Sequence, residues 1–167
     1  MAHTFTLRAE IAVRAPIERC FLLSTSVAIV ERELGMHPVR GRTSGLVTAG
    51  DTIRWEGRQF AMPQFHESLI EDFRPFIFFR DRMIGGRFAS FVHDHSFTEL
   101  GDSRVMLRDE LRFTMPWGWL GDLIGACILA PHIRRLMRRR FRLLKRIAEG
   151  EAWRQYLPQD SAQFDSA

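Results

Sequence analysis

The stretch RVMLRDELRFTMPWGWLGDLIGACILAPHIRRLMRRRFRLLKRI, residues 104–147, changes its apolar period once, and that change decides the fold. Up to Met115 apolar side chains alternate: Val105, Leu107, Leu111 and Phe113 face one way, and Arg104, Arg108, Glu110 and Arg112 face the other. This is a strand with one dry and one wet face. Further on the spacing is helical, with Ile133, Leu136, Met137, Phe141, Leu144 and Ile147 in one stripe. Pro131 removes an amide donor and crowds the preceding turn, so it is expected to kink this helix or split it in two.

Working back from this stretch, strands are expected over 37–42, 51–60, 64–73, 76–83 and 88–100, with 104–115 the last. Their separators are turn material: Gly45, Gly50, Pro63, Pro75, Gly85-Gly86 and Gly101-Asp102. Short connections imply an antiparallel meander. The chain opens with another half-buried strand, Phe5 to Val13, apolar at every odd position. Two short helices follow, one started by Pro16 and one running from Ser26 to Leu34 and stopped by Gly35. The fold class is therefore α+β: one curved antiparallel sheet needs a cover for its dry face, and the C-terminal helix is the only element long enough. A curved sheet wrapped around such a helix leaves a natural ligand cavity.

Composition narrows the class. At 167 residues and 46% hydrophobic content, one substantial core is expected, with a single domain over 1–157 and a polar, frayed tail over 158–167. Fourteen Phe and four Trp against one Tyr suit apolar ligands. The net charge of +4 comes from Arg, Lys145 being the only lysine, and there is no Asn; this reads as a GC-rich, bacterial codon habit. It makes a basic patch a weaker sign of a polyanion partner than usual. Cys20 and Cys127 form no disulfide framework and no CxxC motif, and the N-terminus lacks a signal-peptide pattern, so a cytoplasmic location is expected. The apolar segment Trp117–Pro131 is too short to span a bilayer.

Three motifs follow one another in the last third: His93-Asp94-His95-Ser96-Phe97, then Asp109-Glu110-Leu111, then Pro116-Trp117-Gly118-Trp119-Leu120-Gly121 leading into the basic helix. With the order of elements, they resemble bacterial members of the START-like, or SRPBCC, superfamily, often described as polyketide cyclase/dehydrase-like. The resemblance covers about Phe5 to Ala148. It implies the helix-grip fold and a cavity for lipids, polyketides, steroids or other hydrophobic molecules. The same fold hosts aromatase/cyclases, coenzyme-Q-binding proteins and ribosome-associated toxins, so function has to be argued from the cavity.

His93 and His95, two apart on a strand, share the sheet face that carries Phe91 and Phe97, and Asp109 points inward with Leu107 and Leu111. Such a trio orients a ligand carbonyl, handles protons, supplies metal ligands, or is a self-satisfied polar cluster that fixes strand register. A metal needs a further ligand, and only His66 or Glu67 offers one nearby, so neither metal nor cofactor is expected. Trp55, Phe65, Phe78, Phe91 and Phe113 are expected to line the pocket or fill it, with His66 beside them. Arg80 and Asp81 interrupt an apolar strand, so an inward one must be paired or meet a polar ligand group.

Eight of the thirteen residues from Arg134 to Arg146 are Arg or Lys. With the apolar stripe inward, they leave the other faces cationic. That is an ordinary solvated face, or it makes weak, salt-sensitive contacts with an anionic membrane surface; nucleic acid is a poorer fit, because no aromatic platform is interleaved. Trp117 and Trp119 suit a headgroup boundary. The leading expectation is binding or carriage of a hydrophobic small molecule. The competing one is a cyclase/dehydratase-type enzyme using His93, His95 and Asp109, and a third is an interaction module acting through the basic helix.

Overall fold

The computed structural model describes residues 3–157; the polar tail expected over 158–167 lies outside them. The elements run β1 (Thr4–Val13), α1 (Ile17–Ser24), α2 (Val27–Leu34), β2 (Met36–Gly41), β3 (Thr52–Gln59), β4 (Met62–Arg74), β5 (Phe78–Gly85), β6 (Ser90–Gly101), β7 (Arg104–Thr114), α3 (Gly118–Ile124) and α4 (Ala130–Glu149). The seven strands form one antiparallel sheet in the order β1-β7-β6-β5-β4-β3-β2. β1 runs beside β7 without a slip from Thr4↔Thr114 to Val13↔Val105. The first and last strands are thus neighbours, while α1 and α2 carry the chain across to the far edge. Pro38 sits on that edge strand, where its missing amide is tolerated.

The alternation read in β7 is the observed one, with Val105, Leu107, Asp109, Leu111 and Phe113 all buried. α4 buries Ile133, Met137, Phe141, Leu144 and Ile147 against the same sheet face. Arg140 lies on that buried stripe as well, although the sequence reading counted it among the cations of the solvated faces.

The C-terminal helix is split, as Pro131 requires, in a particular way. Pro131 sits in the first turn of α4, and the turn before it, Gly125–Leu129, is a π-helix in which the Ala130 amide donates to the Gly125 carbonyl. The wider turn absorbs the donor that proline lacks. Gly125 also lets this turn press on β1, since a Cβ there would lie 2.6 Å from the Phe5 ring. None of the described helices is long and apolar enough to cross a membrane.

Packing divides the space between sheet and helices in two. At one end Phe21 of α1 meets Phe73, Phe76, Phe79 and Phe97 edge-on, with ring centroids 5.2–5.8 Å apart. This part is solid core of ordinary aromatic geometry. Beyond it α4 packs on β1 and β7 through Ile133 and Met137 but stands off from the strands on the other side of the sheet.

Candidate functional site

The gap is a cavity of about 560 Å³ between the sheet, α2, α3 and α4. Its walls are mostly apolar: Val27 and Val30 from α2, Ile53 and Trp55 from β3, Phe91 from β6, and Ile133, Leu136 and Met137 from α4. Its exposed rim carries Phe60, Met62, Trp117 and Ile128. Polar side chains converge on one part of the wall: Glu33, His66, Asp81, His93, His95 and Arg140. An apolar pocket with a few convergent polar groups has the make-up of a small-molecule site.

The polar cluster is organised by Asp109, which lies buried behind the two histidines. Its Oδ1 is 2.8 Å from His95 Nδ1. Its Oδ2 is 3.3 Å from His93 Nε2 and 3.4 Å from Arg140 Nε, but in hydrogen-bond geometry with neither. Arg140 Nη1 donates to Glu33 Oε2 at 3.0 Å, and its Nη2 donates to the Ser24 carbonyl at 3.4 Å. One guanidinium thus ties α4 to α2 and to β7. The strand pairing His95↔Asp109 sets this geometry, and Phe79, opposite His95 on β5, stacks on the imidazole at 4.2 Å.

Burial opposes every charge here. It drives His95 down to about 3, helped by the neighbouring His93 and resisted by Asp109, so its imidazole is neutral at ordinary pH. Burial alone would raise Asp109, but the neighbouring His95 and His93, His95 also through its hydrogen bond, outweigh it and hold the carboxyl well below its usual range. An ionised Asp109 accepts only, so His95 Nδ1 carries the proton and Nε2 is left as a bare acceptor on a residue that lines the cavity. Burial raises Glu33 against the pull of Arg140, and raises Asp81 against His66 and His93. Asp81 Oδ1 has no hydrogen-bond partner among the described residues.

His93, His95 and Asp109 also bring donor atoms within 4.8 Å of one another, which is metal-like spacing. Arg140 stands on the Oδ2 side, where its fixed positive charge opposes a cation. The trio therefore reads as a buried hydrogen-bonded polar cluster rather than a metal centre.

Of the residues expected at the pocket, Trp55, His66, Phe91, His93 and His95 line it. Phe65 touches it only at the rim, and the Arg54 guanidinium lies 4.7 Å from its ring centroid. Phe113 points inward but is a plug, fully buried and stacked on Phe5 at 4.9 Å. Phe78 and Arg80 are not in the cavity wall. They share the outer sheet face, where Arg80 forks onto Asp94 at 2.6 and 2.9 Å and Arg74 covers the Phe78 ring. Asp81, not Arg80, is the inward charge of that pair. Glu33 and Arg140 were missed, although both fall at helical spacing from buried apolar residues: Glu33 four after Ile29, Arg140 three after Met137.

No family model matches the chain, and no curated protein does. Solved structures do. A Staphylococcus aureus protein of unknown function superposes with a TM-score of 0.70 at 10% identity, over 90% of this chain and 97% of that one. The Zhui aromatase/cyclase from Streptomyces sp. R1128 gives 0.62 at 12% identity, over 87% and 96%. Norcoclaurine synthase from Thalictrum flavum, solved with dopamine and hydroxybenzaldehyde, gives 0.60 at 9% identity, over 86% and 88%. With its seven-stranded antiparallel sheet gripping a long C-terminal helix, the chain shares the helix-grip fold of these solved structures.

Proposed function

We propose that the chain binds a hydrophobic, largely aromatic or polycyclic small molecule in this cavity. The observation that carries the reading is an apolar cavity of about 560 Å³ in which buried polar side chains gather at one part of the wall and leave His95 Nε2 as an unclaimed acceptor. The apolar body packs against Trp55, Phe91 and Met137, and a hydroxyl or amine of the ligand donates to His95 Nε2. Displacing water from such walls stabilises the complex by roughly 25 cal/mol per Å² of apolar area. The ligand-bound plant enzyme and the aromatase/cyclase support the reading as users of the same fold. The described cysteines are free, Cys20 buried and Cys127 exposed, which accords with a reducing, cytoplasmic setting.

A second reading, proton-transfer catalysis, is favoured by the Asp109–His95 pair, since a carboxylate that orients an imidazole is the arrangement of a general base. The direction in which burial moves His95 weighs between them. A base is most effective when its pKa lies near the working pH, and His95 is held at about 3. This favours an acceptor that orients a ligand over one that removes its proton.

The test is native mass spectrometry of gently purified protein, followed by extraction of whatever is bound. A one-to-one adduct that yields an apolar molecule bearing a hydroxyl or amine supports the reading. Product formed from that molecule on incubation with the protein would move the assignment to the enzyme.

A further inference from the structure

The cavity rim has a property that ligand binding does not use. Trp117 and Trp119 are 69% and 77% exposed, and Leu120, Leu123 and Ile128 on the same helical stretch are about half exposed. Across the mouth, the β3–β4 turn adds exposed Phe60 and Met62. The two sides touch: the Phe60 ring lies 4.7 Å from the His132 ring, and His132 Nε2 is 3.1 Å from Gln59 Oε1. Seven large apolar side chains so grouped exceed the scattered exposure normal for a surface.

The patch is continuous with charge. Leu123, Ile128, Arg135, Arg139 and Arg142 follow one another at three- to seven-residue steps along exposed positions, the step from Leu123 to Ile128 crossing into the π-helical turn. Arg134 and Arg138 flank this line, also exposed. None of Arg134, Arg135, Arg138, Arg139 and Arg142 has an ion-pair partner among the described residues. The only acid between Trp117 and Arg146 is Asp122.

We propose that this rim is a membrane-docking surface that seats the cavity mouth on an anionic phospholipid bilayer, with Trp119, Leu120 and Leu123 in the headgroup region and the arginines of α4 on phosphate and acidic headgroups. Tryptophan and leucine beside a polybasic helical face are the elements of interfacial binding. Charge argues against a second copy of the chain as the occupant, because a two-fold contact here brings the unpaired arginines of both copies together. The cationic stretch carries no stacking aromatics, which disfavours single-stranded nucleic acid.

Co-flotation of the full chain with vesicles tests this, using phosphatidylcholine alone and phosphatidylcholine mixed with phosphatidylglycerol. Binding is expected to the mixed vesicles, with a blue shift of tryptophan emission. Arg135→Gln with Arg139→Gln should lower partitioning roughly twenty-five-fold, about fivefold for each cation near an anionic surface. Trp119→Ser with Leu123→Ser should lower it about tenfold or more even at ~1 M salt, where the Debye length falls to ~3 Å. All four positions are exposed, and circular dichroism checks that the variants stay folded. Equal binding to both vesicle types, or wild-type binding by both variants, overturns the proposal. So does a dimer that the Trp119→Ser Leu123→Ser variant dissociates, or binding to an RNA oligomer in place of vesicles. Each result is independent of what the cavity holds.

Discussion

Arg140 Nε lies 3.4 Å from Asp109 Oδ2, so a cation on α4 and an anion on β7 meet inside the core, at the wall of the cavity. Both are almost wholly buried, and Glu33 completes the set from α2. The polar floor of the site is therefore also a fastener between the helices and the sheet.

Removing the cation leaves two buried carboxyls without it. Arg140→Met is expected to cost about 3–5 kcal/mol in denaturant unfolding, the usual penalty for breaking a buried pair from one side. Glu33→Gln with Arg140→Met should cost less than the sum of the two single changes, because the two residues share one interaction. Additive losses would show that the pair is not coupled.

His95 and Asp81 separate fold from function. His95→Ala strips Asp109 of its best hydrogen bond and should destabilise the ligand-free protein by about 1–3 kcal/mol. Asp81 Oδ1 has no hydrogen-bond partner among the described residues, so Asp81→Asn should lower the melting temperature less than His95→Ala does while weakening a hydroxylated aromatic probe such as 2-naphthol. If both variants bind 2-naphthol as the wild type does, the cluster is structural and the ligand meets something else.

The depressed histidines make a signed pH prediction. An unfolded His95 takes up its proton below about pH 6.5, whereas the folded one resists until about 3. Its contribution is therefore fully present above pH 6.5 and is lost as pH falls toward 3. His66 acts in the same direction, while Glu33 and Asp81, raised by burial, act in the opposite one. For His95 alone the loss is on the order of 3 kcal/mol at about pH 4. His95→Gln should flatten the fall in stability between about pH 6.5 and 4, and an unchanged slope would contradict the assignment.

How much of this was legible in the sequence depended on alternation. β7 and α4 were readable because polar and apolar residues alternate there at one clear period, and Gly35 and Pro131 mark real helix boundaries. In the run Phe76–Phe79 every residue is apolar, so nothing fixes the parity; Phe79 faces in and Phe78 out. That ambiguity placed Phe78 and Arg80 in the pocket. Arg140 escaped notice because a charge on an apolar stripe reads as surface until its partners, 107 residues away in Glu33 and on β7 in Asp109, are brought to it. Phe113 was given the right face, but whether an inward ring is wall or plug depends on its neighbour, here Phe5.

The central claim, that the gap between sheet and helix is a ligand site, is tested most directly by titrating the neutral dye Nile red into the ligand-free chain and into a Val30→Phe Leu136→Trp variant. Both positions line the cavity, and the larger side chains narrow it from α2 and α4. The wild type is predicted to bind one dye with a blue-shifted emission, and the narrowed variant to bind on the order of tenfold more weakly or worse, with a melting temperature no lower. A wild type that binds no dye, or a narrowed variant that binds it equally well, would contradict the account.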